Sequence, residues 1–93
     1  MEHSNELYKV VNAVINTIAK GGTVPFSKSD GSTGEYTFND DKEVVRDELM
    51  GYNTADEDKK ICPAFAQQFY ARDIWTLFKG NDFIHLALDC SIL

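Results

Sequence analysis

Basic residues are scarce in this 93-residue chain: nine Lys and Arg stand against fifteen Asp and Glu, a formal charge of −6 with a pI near 4.7. A chain so poor in positive charge lacks the field that holds a nonspecific binder to nucleic-acid phosphates or a peripheral protein to anionic lipid. Neither direct nucleic acid nor a membrane is therefore an expected partner. Glycine and proline are also few, six and two, and 43% hydrophobic with 26% charged residues excludes a disordered or fibrous chain. No apolar run approaches the roughly 20 residues of a membrane span. The best one, residues 7–19, is broken by Lys9, Asn12, Asn16 and Thr17. The opening Met-Glu-His-Ser-Asn-Glu has neither the basic nor the apolar part of a secretory signal. Only two cysteines occur, Cys62 and Cys90, and in that context two reduced thiols in a cytoplasm are expected.

What is present reads as one α+β domain over residues 1–93, with 1–5 as a flexible tail. Leu7, Val10, Val11, Val14, Ile15 and Ile18 recur at helical spacing, Ser4 or Asn5 offers a cap, and Gly21-Gly22 supplies a stop. That predicts a helix over 6–20 with Lys9, Asn12, Asn16 and Lys20 on its wet face. Two β-prone runs, Thr23–Lys28 and Glu35–Phe38, flank a cluster of Gly, Ser and Asp and predict a hairpin. Pro25 places the first of these strands at a sheet edge or itself at the strand's start. Tyr36 and Phe38 are expected to share one face. Asn39-Asp40-Asp41 offers caps for a second helix whose apolar stripe is Val44, Val45, Leu49 and Met50, ending at Gly51.

Thr54-Ala-Asp-Glu57 matches a capping box and predicts a short helical turn. From Pro63 to Gly80, the spacing of Ala66, Phe69, Tyr70, Ile74, Leu77 and Phe78 predicts a third, aromatic helix. Ile84, Leu86, Leu88, Cys90 and Ile92 then alternate with Phe83, His85, Ala87, Asp89 and Ser91, the period of a strand with one buried face. The expected order is α-β-β-α-(α)-α-β, a small antiparallel or mixed sheet packed by helices, with the last strand paired to the hairpin.

Charge is unevenly spread. Residues 35–58 hold nine acids and two bases, a local −7, while the rest of the chain sums to +1. Such a segment is either a solvated helix face or a docking surface for a basic partner, since local fields of this kind steer association. The candidate partner-binding acids are Asp40, Asp41, Glu43, Asp47, Glu48, Asp56, Glu57 and Asp58. Phe65, Arg72 and Trp75, on the flank of the expected aromatic helix, are candidates for a contact surface or homodimer seam, because Trp and Arg are enriched at binding hot spots.

Chemistry is thinly represented. Cys62 precedes Pro63 and follows Lys59 and Lys60, a setting that lowers a thiol pKa, so it is the one candidate nucleophile. Cys90 reads as a small core hydrophobe. Asp56-Glu57-Asp58 lacks the alternation, glycine and closing glutamate of a calcium loop. With no C-x-x-C and no H-x-x-x-H spacing, zinc is not expected. Gly31-Ser-Thr-Gly34 lacks the lysine of a phosphate loop and reads as a tight turn. No metal and no cofactor are expected.

The leading expectation is a non-enzymatic protein-binding module that occludes a partner with a basic surface. Size and charge associate that build with immunity proteins, antitoxins and phage-encoded inhibitors of host defence. The alternatives are a thiol-dependent enzyme or redox sensor using Cys62, and a structural subunit of a homo-oligomer.

Overall fold

The computed structural model describes residues 5–54 and 73–89. Its elements are α1 (Asn5–Ala19), β1 (Val24–Lys28), β2 (Thr33–Tyr36), α2 (Lys42–Met50), β3 (Asn53–Thr54), β4 (Asp73–Lys79) and β5 (Asp82–Leu88). The strands form one antiparallel sheet in the order β2-β1-β5-β4-β3, so the expected pairing of the last strand with the hairpin is present as β1 against β5.

Residues directly opposite in an antiparallel pair share a face. Phe26 and Trp75 both stand opposite Leu86, and Leu77 stands opposite Ile84. With Val24, Tyr36 and Leu88 these make the inner face, against which α1 and α2 pack to build the core. All six apolar positions expected on α1 are buried, and Lys9, Asn12, Asn16 and Lys20 are exposed. Helix α1 ends as a Schellman motif: Gly21 takes φ +90, its amide donates to Ile18 O, and the Gly22 amide donates to Thr17 O at 2.9 Å.

Pro25 lies second in β1, and that strand is interior to the sheet. Toward β5, Ser27 faces His85 and the Ser29 amide donates to Phe83 O. The next position in that alternation is Pro25, which has no amide, and the ladder ends at Phe26↔Leu86. Neither expected placement is met, since β1 is not an edge and begins at Val24; Pro25 is tolerated because it lies just outside the β1–β5 register.

Four expectations are corrected. Residues 73–79 of the expected aromatic helix form β4, so Trp75 lies on a strand, half-buried against the core. Residues 63–72 of that helix lie outside the described residues. Thr54 belongs to β3, opposite Leu77, while the rest of its expected capping box lies outside the described residues. Tyr36 and Phe38 do not share a face: Tyr36 is buried, whereas Phe38 falls past the end of β2 in a turn and is 59% exposed. Finally, the second face of β5 is not simply wet. Ala87 is buried there, as are its partner Ile74 and the neighbouring Thr76, all three outside the main core cluster. Residues 90–93 of the expected last strand, Cys90 included, lie outside the described residues.

Candidate functional site

Helix α2 is short, and its single core seam decides what it shows to solvent. Val45 and Leu49, four apart, are buried. Val44 is rotated about 100° from Val45 by the helical period and is 62% exposed, so it does not belong to the apolar stripe as expected. Glu43 and Asp47 are also exposed and lie together on one side of Val44, on the arc facing away from Val45 and Leu49.

The turn that leads into α2 is tightly tied. The Asp40 amide donates to Thr37 O at 3.0 Å, and the Thr37 amide donates to Asp40 Oδ2 at 2.7 Å. Asn39 N donates to Thr37 Oγ1, and Lys42 Nζ donates to Phe38 O while lying 4.4 Å from the centroid of the Phe38 ring. Asp41 caps the helix, its side chain accepting from the amides of Glu43 and Val44.

The candidate acids therefore divide by what they already do. Asp40 closes the turn and Asp41 caps α2. Glu48 accepts from Lys28 Nζ at 3.3 Å and lies 3.5 Å from the Tyr36 hydroxyl. Burial and the nearby Glu48 charge together push the Tyr36 phenol well above its ordinary range. The carboxylates of Glu43 and Asp47 hold no hydrogen bond or ion pair among the described residues. Asp56, Glu57, Asp58, Phe65, Arg72 and the alternative nucleophile Cys62 lie outside the described residues. Within 35–54 the count is six acids against two bases, a net −4.

The residues missed from sequence are Phe38 and Val44, two of the large hydrophobics left exposed. A signal for Val44 existed. Two adjacent valines cannot both face one core across a single seam, and Leu49 is four residues from Val45 but five from Val44. Phe38 carries no comparable mark.

Two other places gather polar side chains. Between the tips of the two hairpins lies an opening of about 160 Å³ bordered by Lys28, Ser29, Tyr52, Lys79 and Asp82. Its charges are of both signs and are engaged by the protein itself. Lys28 pairs with Glu48, Asp82 accepts from Ser29 Oγ, and Lys79 Nζ lies 4.9 Å from the centroid of Tyr52. On the sheet face away from the helices, Ser27, His85 and Thr76 form one cross-strand row, and Thr76 Oγ1 is 2.8 Å from His85 Nδ1. Thr76 is buried, which denies it the access a nucleophile needs.

Burial lowers the His85 pKa below its ordinary 6.5. The unfolded chain then takes up a proton that the native state resists, so stability is complete above pH 6.5 and falls as the pH drops through the lowered native value. Denaturant midpoints measured from pH 7.5 down to 5 should show that decline, and His85→Gln should flatten it. Equal slopes in the two proteins would contradict the assignment.

No protein-family model, curated protein or solved structure matches this chain. Among the described residues no helix is long and apolar enough to cross a membrane, and no group of three or more His, Cys, Asp or Glu is placed to hold a metal ion.

Proposed function

We propose that the chain is a small cytoplasmic protein-binding module that acts by covering the basic surface of a protein partner, in the general manner of immunity proteins, antitoxins and phage-encoded inhibitors of host defence. The observation that carries this reading is the outward arc of α2, where Glu43 and Asp47 lie beside an exposed Val44 and neither carboxylate has a hydrogen bond or ion pair among the described residues. Carboxylates with no internal duty contribute their field to solvent, and an apolar side chain among them adds contact area once water is expelled.

The test is Glu43→Lys combined with Asp47→Lys, a change of four charges at side chains with no hydrogen bond or ion pair among the described residues. Capture from the native lysate along a salt gradient identifies a ligand, and titration with that purified ligand follows. Opposing like charges across an interface costs several kcal/mol, so affinity should fall by more than about 100-fold. Glu43 lies in the first turn of α2, so its reversal should cost about 0.3–1 kcal/mol and lower the melting temperature by a few degrees without unfolding the protein, and Glu6→Lys, the same change in the first turn of α1, should bind as the parent does. A double reversal that binds normally would sink the proposal.

A further inference from the structure

We infer that the Asp30-Gly31 pair is a modification site of this chain, where aspartate rearranges to isoaspartate, and that the β1–β2 hairpin restrains the reaction until it opens. The chemistry is intrinsic to the dipeptide. The Gly31 amide nitrogen attacks Cγ of the protonated Asp30 carboxyl and forms a C–N bond. The carboxyl C–OH bond breaks, and the hydroxyl leaves with the amide proton as water. Water then adds to either carbonyl of the five-membered succinimide. Addition at Cγ restores aspartate, and addition at the main-chain carbonyl gives isoaspartate. Glycine favours closure because no side chain hinders its amide. Asp30-Gly31 is the single Asp-Gly pair in the sequence, and Asn-Gly does not occur.

The fold itself requires this pair. Residues 29–31 form a three-residue hairpin loop, with the Lys28 amide donating to Ser32 O and the Gly31 amide donating to Lys28 O, both at 2.9 Å. Such a loop ends in a residue at positive φ, and Gly31 takes φ +90. A Cβ on Gly31 would meet nothing within 4 Å, so glycine is selected by its φ and not by room. Asp30 is selected by its side chain, since Oδ1 accepts from Ser32 Oγ at 2.7 Å and from the Ser32 amide at 2.9 Å.

The same bonds oppose the rearrangement. The Ser32 hydroxyl, and then the Ser32 amide, hold the Asp30 carboxyl below its ordinary range, so it stays ionised, and a carboxylate has no hydroxyl to lose. They also tie the carboxyl to Ser32, while the N–H of the attacking nitrogen is bound to Lys28 O. Closing the succinimide ring must break these contacts. Asp30 and Gly31 are both exposed, so the restraint is hydrogen bonding and not burial. The product runs the main chain through Cβ and Cγ, one atom longer, which displaces the Gly31 amide from Lys28 O. An opening that reacts therefore leaves a hairpin unable to reclose in its native form.

The experiment ages the full chain at neutral pH and physiological temperature, native and in guanidinium chloride. Isoaspartate is then located by peptide mapping with electron-transfer fragmentation. In the denatured chain it should form at position 30. In the native protein the same product should accumulate at least about tenfold more slowly, since it forms only from the opened loop. Ser32→Ala removes the 2.7 Å bond and should speed the native reaction about three- to tenfold, the effect of one hydrogen bond, with the denatured rate unchanged. Ser32→Thr keeps the hydroxyl and should age as the parent does. Both variants should melt near the parent, because residue 32 is exposed. Equal rates in the native and denatured parent, isoaspartate at another position in place of 30, or an unaltered native rate in Ser32→Ala would each overturn the inference.

Discussion

Leu86→Ala is expected to cost about 2–5 kcal/mol of stability, enough to lower the melting temperature by tens of degrees in a domain of this size. Leu86 is fully buried at the middle of β5, the central strand, opposite Phe26 on β1 and Trp75 on β4. Its side chain is thus enclosed by strands on both sides and by the helices above. Such a cavity is hard to close by relaxation, because the sheet register fixes its walls, so the cost should fall in the upper part of the range. Phe78→Ala on the neighbouring strand, at a side chain 38% exposed, serves as the comparison and should cost clearly less. Chemical denaturation of both variants decides this. Similar losses for the two would show that the core is not organised around β5.

Gly22→Ala should lose about 1–3 kcal/mol, although alanine is the smallest possible change. The two glycines that end α1 serve different physical needs. Gly21 provides the left-handed φ, which costs a residue with a Cβ, whereas Gly22 has an ordinary φ and is needed for room. A Cβ on Gly22 would meet Thr17 Cγ2 at 2.9 Å and Thr17 O at 3.1 Å. The second of these is the carbonyl that accepts the Gly22 amide, so the clash cannot be relieved without lengthening the capping bond. Adding Thr17→Ser removes Cγ2 and should restore part of the loss, leaving the share due to the backbone oxygen. A thermal-melting double-mutant cycle reads that coupling. Full additivity of the two changes would refute the steric account.

The parts of the fold legible in the sequence were those where one periodicity had no competitor. Helix α1 has six apolar positions at helical spacing and a glycine stop, and no strand register explains that pattern. Strand β5 alternates cleanly. Residues 73–79 were ambiguous because Ile74, Leu77 and Phe78 fit a helical stripe, while the same short run of β-branched and aromatic residues fits a strand equally well. What tips the balance is tertiary: β4 is paired along its whole length with β5. A local mark did exist in Gly80-Asn81, two residues between Lys79 and Asp82, which is the composition and length of a tight hairpin loop, and Gly80 takes φ +64 there. The candidate site was legible as charge and not as shape. Carboxylate density points to the α2 region, but which acids the fold uses, and that Phe38 is left exposed, depends on cap and turn bonds that no spacing encodes.

The position of β5 bears on how the protein is made. It is the central strand of the sheet, and it is the last described element to be synthesised. While a ribosome is still adding residues before Asp82, β1 and β2 can pair as a hairpin, but among the described residues no strand joins β3 and β4 to it. The nascent chain must therefore wait with α1 and α2 lacking half the surface they bury against, a period in which apolar side chains are open to chaperones and proteases. Folding becomes possible only once Leu88 has cleared the exit tunnel, and it should then proceed in one step, since a single strand closes both halves of the sheet.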